Sequence, residues 1–91
     1  MRIGKRKKVY QLPNAPLKPG CKGMDVDRLQ EALDKVLKLK GKARLRHREP
    51  GWYGIGTSTA VYRFRDQVGI KADFDFDTQA RQKLREVLNA D

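Results

Sequence analysis

Three short windows of this chain set apolar residues at helical spacing, and no other run in it is apolar enough to organise a core. In DVDRLQEALDKVLKL, the residues Val26, Leu29, Leu33, Val36 and Leu37 fall on one helical face. Ala60, Val61, Phe64 and Val68 do the same in the second window, and Ala80, Leu84, Val87 and Leu88 in the third. The spacing predicts helices over 25–39, 57–68 and 78–88. Asp25 stands where an N-cap is wanted, with Asp27 and Glu31 near the positive end of the helix dipole. Thr57 opens the second helix, Asp77 or Thr78 the third, and Gly69 closes the second. Each helix is apolar on one face only, so each must bury that face against the others. The expected fold is all-α, a small three-helix orthogonal bundle.

The connections differ sharply in chemistry. GKARLRHREP alternates Ala43, Leu45 and His47 with Arg44, Arg46 and Arg48, a period of two that predicts an extended ribbon with its arginines on one face. GWYGIG, ahead of the second helix, reads as a tight turn with aromatics between glycines. ADFDFD alternates Phe74 and Phe76 with aspartates, which predicts aromatics against the core and acids in water. Residues 1–19 carry Pro13, Pro16, Pro19 and the run Lys5, Arg6, Lys7, Lys8, and predict an extended basic N-terminal arm. The expected layout is an arm over 1–16 and a domain over 17–91, with the basic ribbon inserted at 40–50.

Charge follows the same division. The 91 residues carry a formal net charge of +10. Seven Lys or Arg lie in residues 1–22 and seven more in 35–48, neither segment holding an acid; the remainder has seven basic and eleven acidic residues. Cationic segments on a mildly acidic body point to a polyanionic partner or an acidic protein surface. The basic partner contacts are then Lys5, Arg6, Lys7, Lys8, Arg44, Arg46 and Arg48. No apolar run approaches the ~20 residues needed to cross a bilayer, so no membrane partner is expected. MRIGKRKK has the charged front of an export signal, but the apolar stretch of ~7–15 residues that should follow is missing.

Several chemistries lack their residues. One cysteine, Cys21, forms no internal disulfide, and with the single His47 it does not furnish a structural zinc set. Gly51, Gly54 and Gly56 are followed by no lysine of a phosphate loop. Asp73, Asp75 and Asp77 open like a calcium loop, yet Thr78 and Leu84 occupy the positions that need glycine and glutamate. No nucleophile–base set is found. No catalytic residue, metal ligand or cofactor is expected, and the chain is not read as an enzyme.

Two motifs in order carry a resemblance. L-x-x-G-x-x-G-x-D-V-x-x-L-Q-x-x-L runs through Leu17, Gly20, Gly23, Asp25, Val26, Leu29, Gln30 and Leu33. G-x-Y-G-x-x-T-x-x-A-V-x-x-F follows as Gly51, Tyr53, Gly54, Thr57, Ala60, Val61 and Phe64. Over residues 17–88 the chain resembles the peptidoglycan-binding domain family, a three-helix module attached to wall hydrolases and endolysins. It departs from that pattern at 73–77, which lacks the family's glycines, and at Arg65, where the family often has glutamine. The resemblance implies a non-catalytic module that binds bacterial cell wall and places Tyr53 in the core. Trp52 beside it is a stacking platform for a sugar ring or a partner. Trp52, Tyr62 and Arg65 are the candidate ligand contacts. A second reading is a bacteriophage virion protein, a capsid decoration or minor capsid protein, whose arm and ribbon grip neighbouring subunits. Nucleic-acid binding ranks third, because charge favours it while no recognition motif appears.

Overall fold

The computed structural model describes residues 12–37 and 50–89. The basic contacts expected at Lys5, Arg6, Lys7, Lys8, Arg44, Arg46 and Arg48 lie outside the described residues, as does the ribbon before Pro50. Among the described residues three helices follow in chain order: α1 (Met24–Val36), α2 (Ile55–Gln67) and α3 (Thr78–Asn89). None is long and apolar enough to cross a membrane.

The core is the one the stripes predict. Val26, Leu29 and Leu33 of α1, Ala60, Val61 and Phe64 of α2, and Ala80 and Leu84 of α3 are buried together with Tyr53 and Phe76. Val36, Leu37, Val68, Val87 and Leu88 pack around that centre half-buried. Helix α1 packs against both α2 and α3. Each fully buried large side chain contributes roughly 1.5–3 kcal/mol, so the loop aromatics Tyr53 and Phe76 each weigh as much in this thin core as a large helix residue does.

The helix ends correct two expectations. Asp25 does not cap α1. Its carboxylate accepts the Asn14 backbone N–H (3.0 Å) and side-chain amide (3.4 Å), and the N-cap is Gly23. Thr57 does not cap α2, which begins two residues earlier behind Gly54. The threonine instead lies inside the helix, buried, with its hydroxyl accepting a hydrogen bond from Gln30. Asp77 does cap α3, its Oδ1 accepting the Ala80 N–H at 2.8 Å. Gly69 ends α2 at φ +83°, where the Ile70 N–H reaches the Arg65 carbonyl and the Gly69 N–H reaches that of Asp66. These two bonds satisfy carbonyls the helix would otherwise leave open, and only glycine takes that φ cheaply.

Two short antiparallel pairings tie the loops to one another. Leu17 and Phe76 exchange both backbone hydrogen bonds at 2.8 Å. Residues 20–23 run against 51–53 through Gly20 to Tyr53, Tyr53 to Cys21 and Gly23 to Gly51 bonds, all 2.9 Å. The packed body also reaches further back than position 17. Pro13 is buried, Leu12 and Ala15 lie against the core, and the Arg81 guanidinium donates to the Pro13 carbonyl at 2.9 Å. Residues 12–16, grouped with the arm on composition, are part of the folded unit.

Candidate functional site

Gln30 builds the first part of the site. It sits on α1 at i+4 from Val26 and i−3 from Leu33, on the buried stripe, with its side-chain amide 3% exposed. A buried amide must find partners or destabilise the fold. Gln30 Nε2 donates to the Trp52 carbonyl (2.9 Å) and to Thr57 Oγ1 (3.0 Å), while its Oε1 accepts the Gly51 N–H (2.8 Å). One side chain thereby ties the 50–51 and 52–53 peptide units, which bracket Gly51 and Trp52, to helices α1 and α2.

Trp52 itself is half-buried. Its six-membered ring lies directly over Gly54, so close that a Cβ there would meet Cζ3 at 2.5 Å. The glycine is therefore the seat of the indole. Beside it opens a shallow depression of about 520 Å³ lined by Trp52, Lys22, Met24, Asp27 and Pro50, with Gly23 and Gly51. Met24 is 70% exposed. The depression thus offers an aromatic ring, a thioether and one charged group of each sign around an open bowl. It suits a ligand with an apolar face and polar edges.

The second cluster is the 71–77 loop and the α2 face beneath it. Arg65 is 4% exposed, at i+4 from Val61 on the buried stripe of α2. Its Nε donates to the Lys71 carbonyl (2.8 Å), and its Nη1 to the Asp75 carbonyl (3.2 Å) and Asp77 Oδ1 (2.8 Å). Burial pushes the Asp77 carboxyl up, but the Ala80 N–H and the Arg65 guanidinium outweigh it and hold the group below its ordinary value. From the other side the Tyr53 hydroxyl donates to the Phe74 carbonyl. Burial, reinforced by the Asp75 carboxylate, raises the Tyr53 phenol well above its ordinary value, so it stays a neutral donor. Phe76 points into the core while Phe74 is 50% exposed, its ring 5.0 Å from that of Tyr62, which is 42% exposed.

The sequence-predicted contacts therefore separate. Trp52 lines the depression, and Tyr62 belongs to a different aromatic cluster. Arg65 is buried, and its Nε and Nη1 donors hold the 71–77 loop, so it serves that loop as a clamp. Only one of the two phenylalanines of ADFDFD enters the core, because the Leu17 pairing takes Phe76 inward while a bend at residues 74–75 breaks the two-residue alternation that would have kept Phe74 on the same face. Lys22, Met24 and Asp27 joined the site unnoticed, since only the 20–23 to 51–53 pairing brings them to Trp52. Among the described residues no group of three His, Cys, Asp or Glu side chains is placed to hold a metal ion.

No family model matches the chain. N-acetylmuramoyl-L-alanine amidase CwlL of Bacillus licheniformis is 33% identical over 86 residues, which is 91% of this chain and 24% of that enzyme. The N-terminal domain of SleB, a solved crystal structure, superposes with a TM-score of 0.70 at 25% identity, covering 87% of this chain and 100% of that domain. The chain has the fold of the SleB N-terminal domain. The two likenesses support a peptidoglycan-binding-domain-like relationship, as the glycine and leucine spacing implies. The chain spans about a quarter of the curated relative it matches. Neither comparison speaks for a virion or a nucleic acid.

Proposed function

We propose that this chain is a non-catalytic module that binds bacterial peptidoglycan through the Trp52 depression. The likeness to a segment of CwlL carries the reading: nearly the whole of this chain aligns with about a quarter of an amidase named for the N-acetylmuramoyl-L-alanine linkage of that polymer. A segment of that size leaves most of the enzyme for the chemistry. The site supports the same reading. An indole seated on glycine presents a rigid apolar face, and Lys22 and Asp27 offer a donor and an acceptor at its edge. The buried polar side chains Gln30, Thr57 and Arg65 are occupied with each other and with backbone, which suits holding a surface more than moving a proton.

The cationic segments supply a second, weaker term. Lys5, Arg6, Lys7, Lys8, Arg44, Arg46 and Arg48 attract the carboxylates of wall peptides and anionic wall polymers over a Debye length of about 8 Å at physiological salt. The test is retention on purified sacculi. The chain is retained at about 0.15 M salt and more weakly at 1 M, and Trp52→Ala abolishes the part that survives high salt. Retention of Trp52→Ala equal to wild type at 1 M salt would overturn the assignment of the site.

A further inference from the structure

We infer that the ligand track continues from the Trp52 depression along the outer face of α2 to a second aromatic subsite, the Tyr62–Phe74 pair, and that its occupant is an extended glycan strand. The inference rests on the proposed wall-binding function and names the part of the polymer that is held.

Phe74 is displayed under constraint. Its carbonyl accepts the Tyr53 hydroxyl, and its N–H donates to Asp73 Oδ1 at 2.6 Å. On either side the Lys71 and Asp75 carbonyls are held by buried Arg65, and Phe76 is locked to Leu17. Two buried side chains thus pin the bend at residues 74–75 that turns Phe74 outward onto Tyr62. Leaving two large rings half in water forgoes burial energy that a loop free to roll would recover. A fixed pair of rings, tilted by 34°, is a prepared apolar surface. Around it stand groups that can meet hydroxyls and N-acetyl amides: exposed Asp73, Asp75, Arg63 and Thr59.

The pair is continuous with the first site. The indole of Trp52 covers Gly54, and the next residue, Ile55, is 85% exposed at the start of α2. Thr59 and Tyr62 follow at i+4 and i+7 on the same helical face, both exposed. At 1.5 Å per residue, Tyr62 lies roughly 12 Å along α2 from the indole's seat. One sugar ring does not bridge that span, whereas a strand of several does. Two ring platforms joined by an exposed isoleucine and a threonine hydroxyl match a polymer with alternating apolar faces and polar edges. Two linked contacts also hold more tightly than either alone.

The experiment uses chitobiose and chitohexaose as soluble probes of the glycan strand, with the full chain, calorimetry and amide NMR. Chitohexaose is expected to bind about tenfold more tightly than chitobiose and to shift the amides of Tyr62 and Phe74, which chitobiose leaves in place. Phe74→Ala and Tyr62→Ala remove that length-dependent gain and keep chitobiose affinity, with helical content unchanged. Trp52→Ala removes both. Equal affinity for the two probes, or a Phe74→Ala chain that keeps the gain, overturns the inference. So does sacculus retention with no binding of either probe, which leaves wall binding standing through the peptide stems. Loss of sacculus retention itself removes the underlying reading. Concentration-dependent self-association abolished by Phe74→Ala would assign the pair to a second copy of the chain and also overturn it.

Discussion

Replacing Gln30 with leucine tests whether the turn that carries Trp52 is held by a single buried amide. Leucine fills a similar volume, so the change isolates the hydrogen bonds. Three groups lose their partner: the Gly51 N–H, the Trp52 carbonyl and the Thr57 hydroxyl. A fully buried orphan costs roughly 1–3 kcal/mol. Two of the three bonds are only part-buried, so water can reach those groups in the variant, and about 1 kcal/mol each is the fair figure. Burying leucine in place of an amide returns less than about 1 kcal/mol, leaving a net loss of about 2–3 kcal/mol. For a domain of this size that lowers Tm by roughly 10–20 °C. Urea unfolding followed by Trp52 fluorescence and by circular dichroism measures it, with an unchanged m-value as the sign that only stability moved. A cycle with Thr57→Val adds a second check: the double variant should lose about 1 kcal/mol less than the two singles together. A Gln30→Leu loss below about 0.5 kcal/mol, or strict additivity in the cycle, would refute the reasoning, because the amide would then be dispensable to the turn.

Gly54→Ala drives a Cβ into the Trp52 ring at 2.5 Å; the half-exposed indole swings toward water, so stability falls by only about 1 kcal/mol while tryptophan emission shifts red and sacculus retention drops. Gly69→Ala meets no neighbouring atom, so its cost is the backbone conformation alone, about 1–2 kcal/mol by thermal unfolding, with Gly69→Asn milder. Asp77 has a folded pKa below its unfolded value, so its contribution is complete above the unfolded carboxylate range near pH 4 and is lost as pH falls through the folded value. Asp77→Ala should therefore flatten the acid limb of the stability–pH curve and, through the lost cap, lower stability at neutral pH by about 1 kcal/mol.

Much of the fold was legible because helical periodicity is a property of the sequence itself. Val26, Leu29 and Leu33, or Val61 and Phe64, mark the buried face without any knowledge of what they meet. The helix starts were less legible. A threonine before an apolar stripe reads as a cap, and what overrides that reading is a partner twenty-seven residues away, Gln30. The site was less legible still, because Lys22, Met24 and Asp27 reach Trp52 only through a loop pairing that leaves no periodic trace. One signal was available. Gln30, Thr57 and Arg65 are polar residues that fall on the apolar stripes of their own helices, at i±4 from Val26 or Val61. A polar residue there must be satisfied inside the protein, and so marks a place where a helix holds a loop.

That pattern joins the two aromatic surfaces to the core. Helices at this spacing bury their stripes but do not dictate how the segments between them run. Among the described residues, the two connecting turns that present Trp52, half-buried, and Phe74, exposed, are each fastened from below by a buried polar side chain. Gln30 fastens the turn of Trp52, and Tyr53 with Arg65 fastens the loop of Phe74. Hydrogen bonds are directional where apolar contact is not, so these side chains set the orientation of a turn as well as its position. The same work done by apolar residues would leave each turn free to roll its aromatic into the core, where burial favours it. Removing such a side chain is costly because it orphans its partners, and here those partners include the backbone groups of the turns that carry the rings. On that argument, variants of Gln30 or Arg65 that still fold should lose ligand affinity in proportion to how far Trp52 or Phe74 turns inward, a coupling that aromatic side-chain NMR can read directly.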